Sequence, residues 1–226
     1  MLKRYLKNTP LFSESDIERI HNMRVCVIGC GGVGTQIIEG LARFGVSIIT
    51  AVDKDVIDES DLNRLIYSNT KTIGLPKAAV MKKFLDNIND RININTLTLT
   101  YTSALGPKII KNHDVVIDAT GDLDIKQLLA THCGAANIPL LYTYYSNLIG
   151  YIAWISPNSN DLERVLALVP KRTKQSSKPI FTSSITGNIA VYEIIKQQLL
   201  DNDRLQHELL TFNIQDFSST KTSLTR

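Results

Sequence analysis

Cysteine is scarce in this chain: Cys26, Cys30 and Cys133 are the only three among 226 residues, and no two of them form a C-x-x-C pair. That excludes a disulfide framework and a four-cysteine zinc site, and it reads as three buried thiols in a reducing compartment. Long apolar runs are missing too. None approaches the ~20 residues of a membrane span, although hydrophobic residues make up 43% of the chain. The basic start, Met1 to Pro10, has no apolar stretch behind it long enough for a secretory signal, so a cytoplasmic location is expected. Net charge is small as well: 25 Lys and Arg against 22 Asp and Glu leave +3, too little without a concentrated patch to argue for nucleic acid. His21, His113, His132 and His207 lack metal-ligand spacing and read as surface or structural groups. With no internal repeat, low-complexity tract or long linker, the expectation is a single domain over 1–226 with an N-terminal arm over 1–22.

What is present starts with a strand that runs into a glycine-spaced turn, Arg24-Val-Cys-Val-Ile-Gly-Cys-Gly-Gly-Val-Gly34. Gly29, Gly31 and Gly34 satisfy G-x-G-x-x-G, with Gly32 beside them. The first glycine allows the tight turn, the second lets phosphate approach the backbone, and the third lets the following helix pack on the strand. Asp53 closes the next apolar strand, where an acid accepts hydrogen bonds from ribose hydroxyls. Dehydrogenases, flavoproteins, methyltransferases and adenylyltransferases share this arrangement, so the glycines specify a nucleotide and not a reaction.

Strands and helices alternate along the chain. Strands are expected over 25–29, 47–52, 92–99, 115–118, 140–143 and 149–155, and helices over 32–44, from 76 to about 88, 125–137 and 185–200. Two antiparallel strands, 208–214 and 217–223, close the fold. This implies a Rossmann-like α/β architecture: a mostly parallel sheet with helices on both faces, a C-terminal antiparallel extension, and ligands beyond the carboxyl ends of the strands. The polar stretch 158–178, with Lys171, Arg172, Lys174 and Lys178, is expected as a flexible crossover loop over about 157–180. Tyr142, Tyr144, Tyr145 and Tyr151 either pack in the core or line a channel.

Asp53-Lys-Asp55, Asp61-Leu-Asn-Arg64, Ile73-Gly-Leu-Pro-Lys77 and Val116-Ile-Asp-Ala-Thr120 follow in this order. In order and spacing this set resembles the MoeB/ThiF/HesA adenylyltransferases, bacterial relatives of the ubiquitin-activating enzymes, and the likeness extends over nearly the whole chain. The resemblance implies that the C-terminal carboxylate of a small ubiquitin-like sulfur-carrier protein or peptide attacks the α-phosphate of ATP, giving an acyl-adenylate and pyrophosphate. It implies ATP and Mg²⁺ at the site, with Asp53, Asp55, Asn63, Arg64 and Lys77 about the nucleotide and Arg64 and Lys77 on the phosphates. It further implies a homodimer in which an N-terminal cation crosses to the partner's site; Lys7 stands in that place. Zinc is not expected, because the cysteines that bind it in many members are absent.

Three positions depart from the family pattern. Gly121 occupies the place of the acid that holds magnesium, with Asp122 one residue later; Asp61 replaces an asparagine; and Lys7 replaces an arginine. An extra carboxylate beside a triphosphate is repelled unless a cation intervenes, so Asp61 is expected to share Mg²⁺. Asp122 either supplies a second oxygen or caps the helix behind it. The rival readings are a silent family member that binds a peptide or partner subunit, a relative acting on a carboxylate of modified tRNA, and an NAD-dependent oxidoreductase. The last gives no reason for Arg64 and Lys77.

Overall fold

The computed structural model describes residues 3–171, 173, 176–199 and 205–225. Among the described residues eight strands form one sheet: β1 (Arg24–Ile28), β2 (Ile48–Val52), β3 (Asn93–Leu97), β4 (Val115–Asp118), β5 (Leu140–Ser146), β6 (Ile149–Ile155), β7 (Glu208–Asn213) and β8 (Ser218–Ser223). The helices are α1 (Glu14–His21), α2 (Gly32–Phe44), α3 (Lys77–Asp86), α4 (Gly106–Ile110), α5 (Leu123–Ala136), α6 (Asp161–Leu168) and α7 (Ile180–Leu199). Strand order is β3-β2-β1-β4-β5-β6-β7-β8. The first five strands are parallel and the last three are added antiparallel.

Alternation along β1 explains why its sequence is apolar throughout. Val25 and Val27 enter the core on one face, under α2, α3 and α7, while Cys26 and Ile28 enter the core on the other, under α4, α5 and α6. A central parallel strand is buried on both faces, so it reads as a continuous hydrophobic run. The three cysteines lie in these cores as free, buried thiols. Burial raises the pKa of Cys133 to about 12 and pushes Cys30 well above the usual thiol range.

The stretch 158–178 is not a loop throughout. Its first part is α6, which docks Leu162 and Val165 against the sheet. The Asp161 carboxylate, buried at the start of this helix, accepts from the backbone N–H of Ser156 at 3.2 Å and contacts His207 Nδ1 at 3.1 Å. Arg172 and Lys174 fall outside the described residues. Helix α7 begins five residues before the expected start. Its first turns are rich in hydroxyls that bond back to the helix, Ser183 Oγ to the carbonyl of Ile180 at 2.8 Å and Thr186 Oγ1 to that of Thr182 at 2.7 Å, so polar residues sit buried there. The histidines are structural, with His21 against the carbonyl of Gly45, His113 against Thr50 and His132 against Tyr101. Among the described residues no helix is long and apolar enough to cross a membrane.

Candidate active site

The chain runs from β1 outward to β2 and β3 on one side, then returns to place β4 on the other. The strand order therefore reverses between the carboxyl ends of β1 and β4, which is where an open α/β sheet leaves a crevice. A cavity of about 310 Å³ opens there. Gly29, Gly31 and Gly32 line it from β1 and α2; Asp53, Lys54 and Asp55 from the end of β2; Thr120, Gly121 and Asp122 from the end of β4; and Tyr144, Tyr145 and Lys178 from β5 and the segment before α7.

The glycine turn is fixed by close contacts. Gly29 adopts φ +105°, and a Cβ there would lie 2.8 Å from the carbonyl oxygen of Ala119. At Gly34 a Cβ would overlap the carbonyl of Gly29 at 1.9 Å, so the helix could not sit this close to the strand with any other residue. Gly31 faces open space. The first amides of α2, which have no acceptor within the helix, thus border the cavity in the manner of an anion site.

Asp53 Oδ2 accepts from the backbone N–H of Cys30 at 2.7 Å and Oδ1 from that of Asp55 at 2.8 Å, which ties the end of β2 to the glycine turn. Burial raises the pKa of this carboxyl, against the opposing pull of those two amides and of Lys77. Arg64 and Lys77 come together through Asp61. Arg64 Nη2 donates to Asp61 Oδ1 at 2.6 Å and Lys77 Nζ lies 3.0 Å from Asp61 Oδ2, with all three side chains largely buried. Asp61 Oδ2 also accepts from the backbone N–H of Asp58. Arg64 Nη1 donates to the carbonyl of Ser60 and to Asn63 Oδ1, so Asn63 orients the guanidinium from behind. A Cβ on Gly32 would meet Tyr145 Oη at 2.7 Å, Ser183 Cβ at 3.2 Å and Arg64 Cδ at 3.3 Å, so these groups converge on the first turn of α2.

The expected residues therefore divide into three groups. Gly29, Gly31, Gly32, Asp53, Asp55, Arg64, Lys77 and Asp122 line one cavity. Gly34, Asp61 and Asn63 stand behind that lining and set its shape. Lys7 lies apart, exposed on a 3₁₀ turn (Lys3–Asn8) whose Arg4 pairs with Asp90 and whose Tyr5 is buried. Asp122 is the N-cap of α5, its Oδ1 accepting from the amides of Asp124 and Ile125 at 3.0 and 3.2 Å. Lys126 is a site residue that the sequence motifs do not single out. Its Nζ lies 2.5 Å from Asp118 Oδ2 in a buried pair, donates to the carbonyl of Thr120 and stacks 4.4 Å over the Tyr142 ring, which fixes the loop that carries Gly121. The visible signal was a lysine eight residues beyond Asp118, on the helix that follows.

A profile of the ThiF family matches residues 2–225. The chain belongs to the ThiF family. This family member is 28% identical over 204 residues to the adenylyltransferase and sulfurtransferase MOCS3 of Dictyostelium discoideum, a match covering 87% of the chain and 47% of that protein. It is 34% identical over 142 residues to the tRNA threonylcarbamoyladenosine dehydratase of Bacillus subtilis, covering 62% of the chain and 56% of the relative. The chain thus spans about half the length of these two curated relatives. The crystal structure of Escherichia coli MccB with AMPCPP and MccA superposes with a TM-score of 0.84 at 19% identity, covering 99% of this chain and 72% of that one, and shows that the fold is shared.

Proposed function

We propose that this chain is an ATP-dependent adenylyltransferase acting on the C-terminal carboxylate of a small ubiquitin-like protein or peptide. The observation that carries the reading is the pairing of Arg64 and Lys77 by Asp61 beside the first turn of α2, in a cavity that also holds Asp53. A dinucleotide needs the glycine turn and the acid; the two added cations suit a triphosphate. The MOCS3 relative is named an adenylyltransferase and sulfurtransferase, and the MccB neighbour was crystallised with AMPCPP.

In this mechanism the amides of α2 and the Arg64 fork hold phosphate oxygens while Lys77 adds a point charge. An oxygen of the substrate carboxylate forms a bond to the α-phosphorus, and the bond to the bridging oxygen breaks, releasing pyrophosphate. Cations placed in advance stabilise the charge that develops on the leaving group. A bound Mg²⁺, which Asp122 would hold, would supply further positive charge for the triphosphate. Among the described residues no three His, Cys, Asp or Glu side chains gather into a metal cage. Magnesium on a nucleotide typically takes only one or two carboxylates plus phosphates, and Asp122 on the cavity wall fits that demand. Both Asp61 oxygens already face donors, so we assign Asp61 to placing the two cations instead of sharing the metal. Lys7 is assigned to a partner's phosphates in a homodimer.

The test is carboxylate-dependent exchange between pyrophosphate and ATP, run with candidate carrier proteins or peptides, alongside calorimetry with ATP·Mg²⁺ and NAD. Exchange and ATP binding are expected; tight NAD binding with no response to ATP would favour an oxidoreductase. The second reading, a silent binding subunit, is favoured by Gly121 at the metal-acid position. It would stand if the protein binds such a partner yet exchanges no pyrophosphate. The tRNA-directed reading has its own support in the Bacillus subtilis relative and predicts activity on tRNA and none on a carrier.

A further inference from the structure

We propose that Tyr67 is a positioning residue for the phosphate site: its hydroxyl holds the carbonyl of Cys30 away from the cavity, so that the N–H of Gly31 faces the phosphates of the nucleotide. The inference rests on the adenylation reading, from which it takes the triphosphate, and deepens it. Tyr67 Oη donates to the Cys30 carbonyl at 2.7 Å in a buried contact. Tyr67 is 4% exposed and Cys30 fully buried, whereas Gly29, Gly31 and Gly32 line the cavity.

One peptide unit decides which way the amide points. Such a unit is planar and trans, so its C=O and its N–H point in opposite directions. The carbonyl of Cys30 and the N–H of Gly31 belong to the same unit. With the carbonyl drawn inward to Tyr67, the N–H turns outward, to the side on which Gly31 borders the cavity and a Cβ would meet nothing within 4 Å. Beside it lie the first amides of α2, for which Gly31 is the N-cap. Asp53 ties down the preceding unit by accepting from the Cys30 N–H at 2.7 Å. Glycine at position 31 makes this grip necessary. Its φ can take either sign at little cost, so without the tyrosine the unit is free to rotate and present its carbonyl oxygen to the phosphates, which that oxygen would repel.

Tyr67 suits the task by its chemistry and by its place in the chain. Burial first, and then Cys30, Asp53 and Asp61, push its phenol above the usual range, so the hydroxyl keeps its proton and donates. It stands three residues beyond Arg64, in a stretch folded on itself by the N–H of Leu65 to the carbonyl of Asp61 and the N–H of Ser68 to the carbonyl of Leu65, both at 3.0 Å. The stretch that brings Arg64 against Gly32 thus also sets the neighbouring amide, and the guanidinium and the Gly31 N–H keep a fixed spacing.

The test compares the wild-type full chain with Tyr67→Phe, which keeps the ring and removes the hydroxyl. Calorimetry measures AMPCPP·Mg²⁺, and adenosine is measured by displacement of it. The variant is expected to bind AMPCPP·Mg²⁺ about fivefold more weakly, the size of one buried hydrogen bond, and adenosine within about twofold of the wild type. A merely structural role would lower the melting temperature and leave the ratio of the two affinities unchanged, which would overturn the proposal. A second measurement needs no variant. In NMR spectra of the wild type the Gly31 amide proton should move downfield on addition of AMPCPP·Mg²⁺ and hardly at all with adenosine; a Gly31 signal indifferent to phosphate would overturn the proposal as well. The adenylation reading is judged separately, by pyrophosphate exchange. A phosphate-selective loss in Tyr67→Phe without exchange in the wild type would remove adenylation and leave the tyrosine in its role, whereas exchange with an unchanged affinity ratio would do the reverse.

Discussion

Asp61 holds two cations with one carboxylate, at 2.6 Å from Arg64 and 3.0 Å from Lys77, in a spot where water has little access. Removing it leaves two like charges close together without their shared counterion. Asp61→Ala is therefore expected to destabilise the fold by about 3 kcal/mol, seen as a lower urea midpoint, and to weaken ATP binding. Asp61→Asn also removes the counterion but keeps a polar side chain of the same shape, so it should lose less stability than Asp61→Ala and weaken ATP binding while the Mg²⁺ concentration needed stays the same; a raised Mg²⁺ requirement would place Asp61 on the metal instead. On the adenylation reading, Lys77→Ala removes a charge from the phosphates. It should slow exchange by roughly a hundredfold or more, the usual loss for one preorganised contact of about 2 to 4 kcal/mol. Arg64 and Lys77 were legible because their spacing from the glycines is a property of the chain. The Asp61 bridge between them was not, since it depends on where 61–64 and the start of α3 meet in space.

Helix α5 shows how one element can serve two demands. Asp122 caps it with one oxygen while standing on the cavity wall, so its charge and its hydrogen bonding are separable. Asp122→Ala should cost about 1 kcal/mol of stability through the lost cap, read by thermal denaturation. Asp122→Asn keeps a capping oxygen, because Asn caps as well as Asp, and should leave the melting temperature nearly unchanged while raising the Mg²⁺ needed for ATP binding. If the Asn variant matches the wild type in both, Asp122 is a cap alone. The elements themselves were readable where periodicity was strong. Helix α2, β4 and β6 fall where the pattern put them. Helix α6 was hidden because it is only 8 residues long and follows the turn-forming run Ser156-Pro-Asn-Ser-Asn160, and the first turns of α7 because buried hydroxyls there satisfy themselves on the backbone. The buried Asp118 and Lys126 pair was hidden for a related reason: a charge bound for the core looks in sequence like one bound for water.

At the scale of the molecule, the N-terminal arm leaves Leu11 82% exposed and keeps Lys7 away from its own cavity. Both facts are accounted for if a second copy covers the arm and receives the lysine. Sedimentation at micromolar concentration is expected to show a dimer, and Lys7→Ala should slow exchange without changing assembly. A fully active monomer would remove Lys7 from the site.

The strand order has a consequence during synthesis. Val25 of β1 pairs with Ile49 on one side soon after it is made, but its other partner is Val115. Until that residue leaves the ribosome, an apolar strand of the sheet presents a bare edge, open to pairing with any extended chain nearby. The crevice between the ends of β1 and β4 is, in the nascent chain, the seam that closes late.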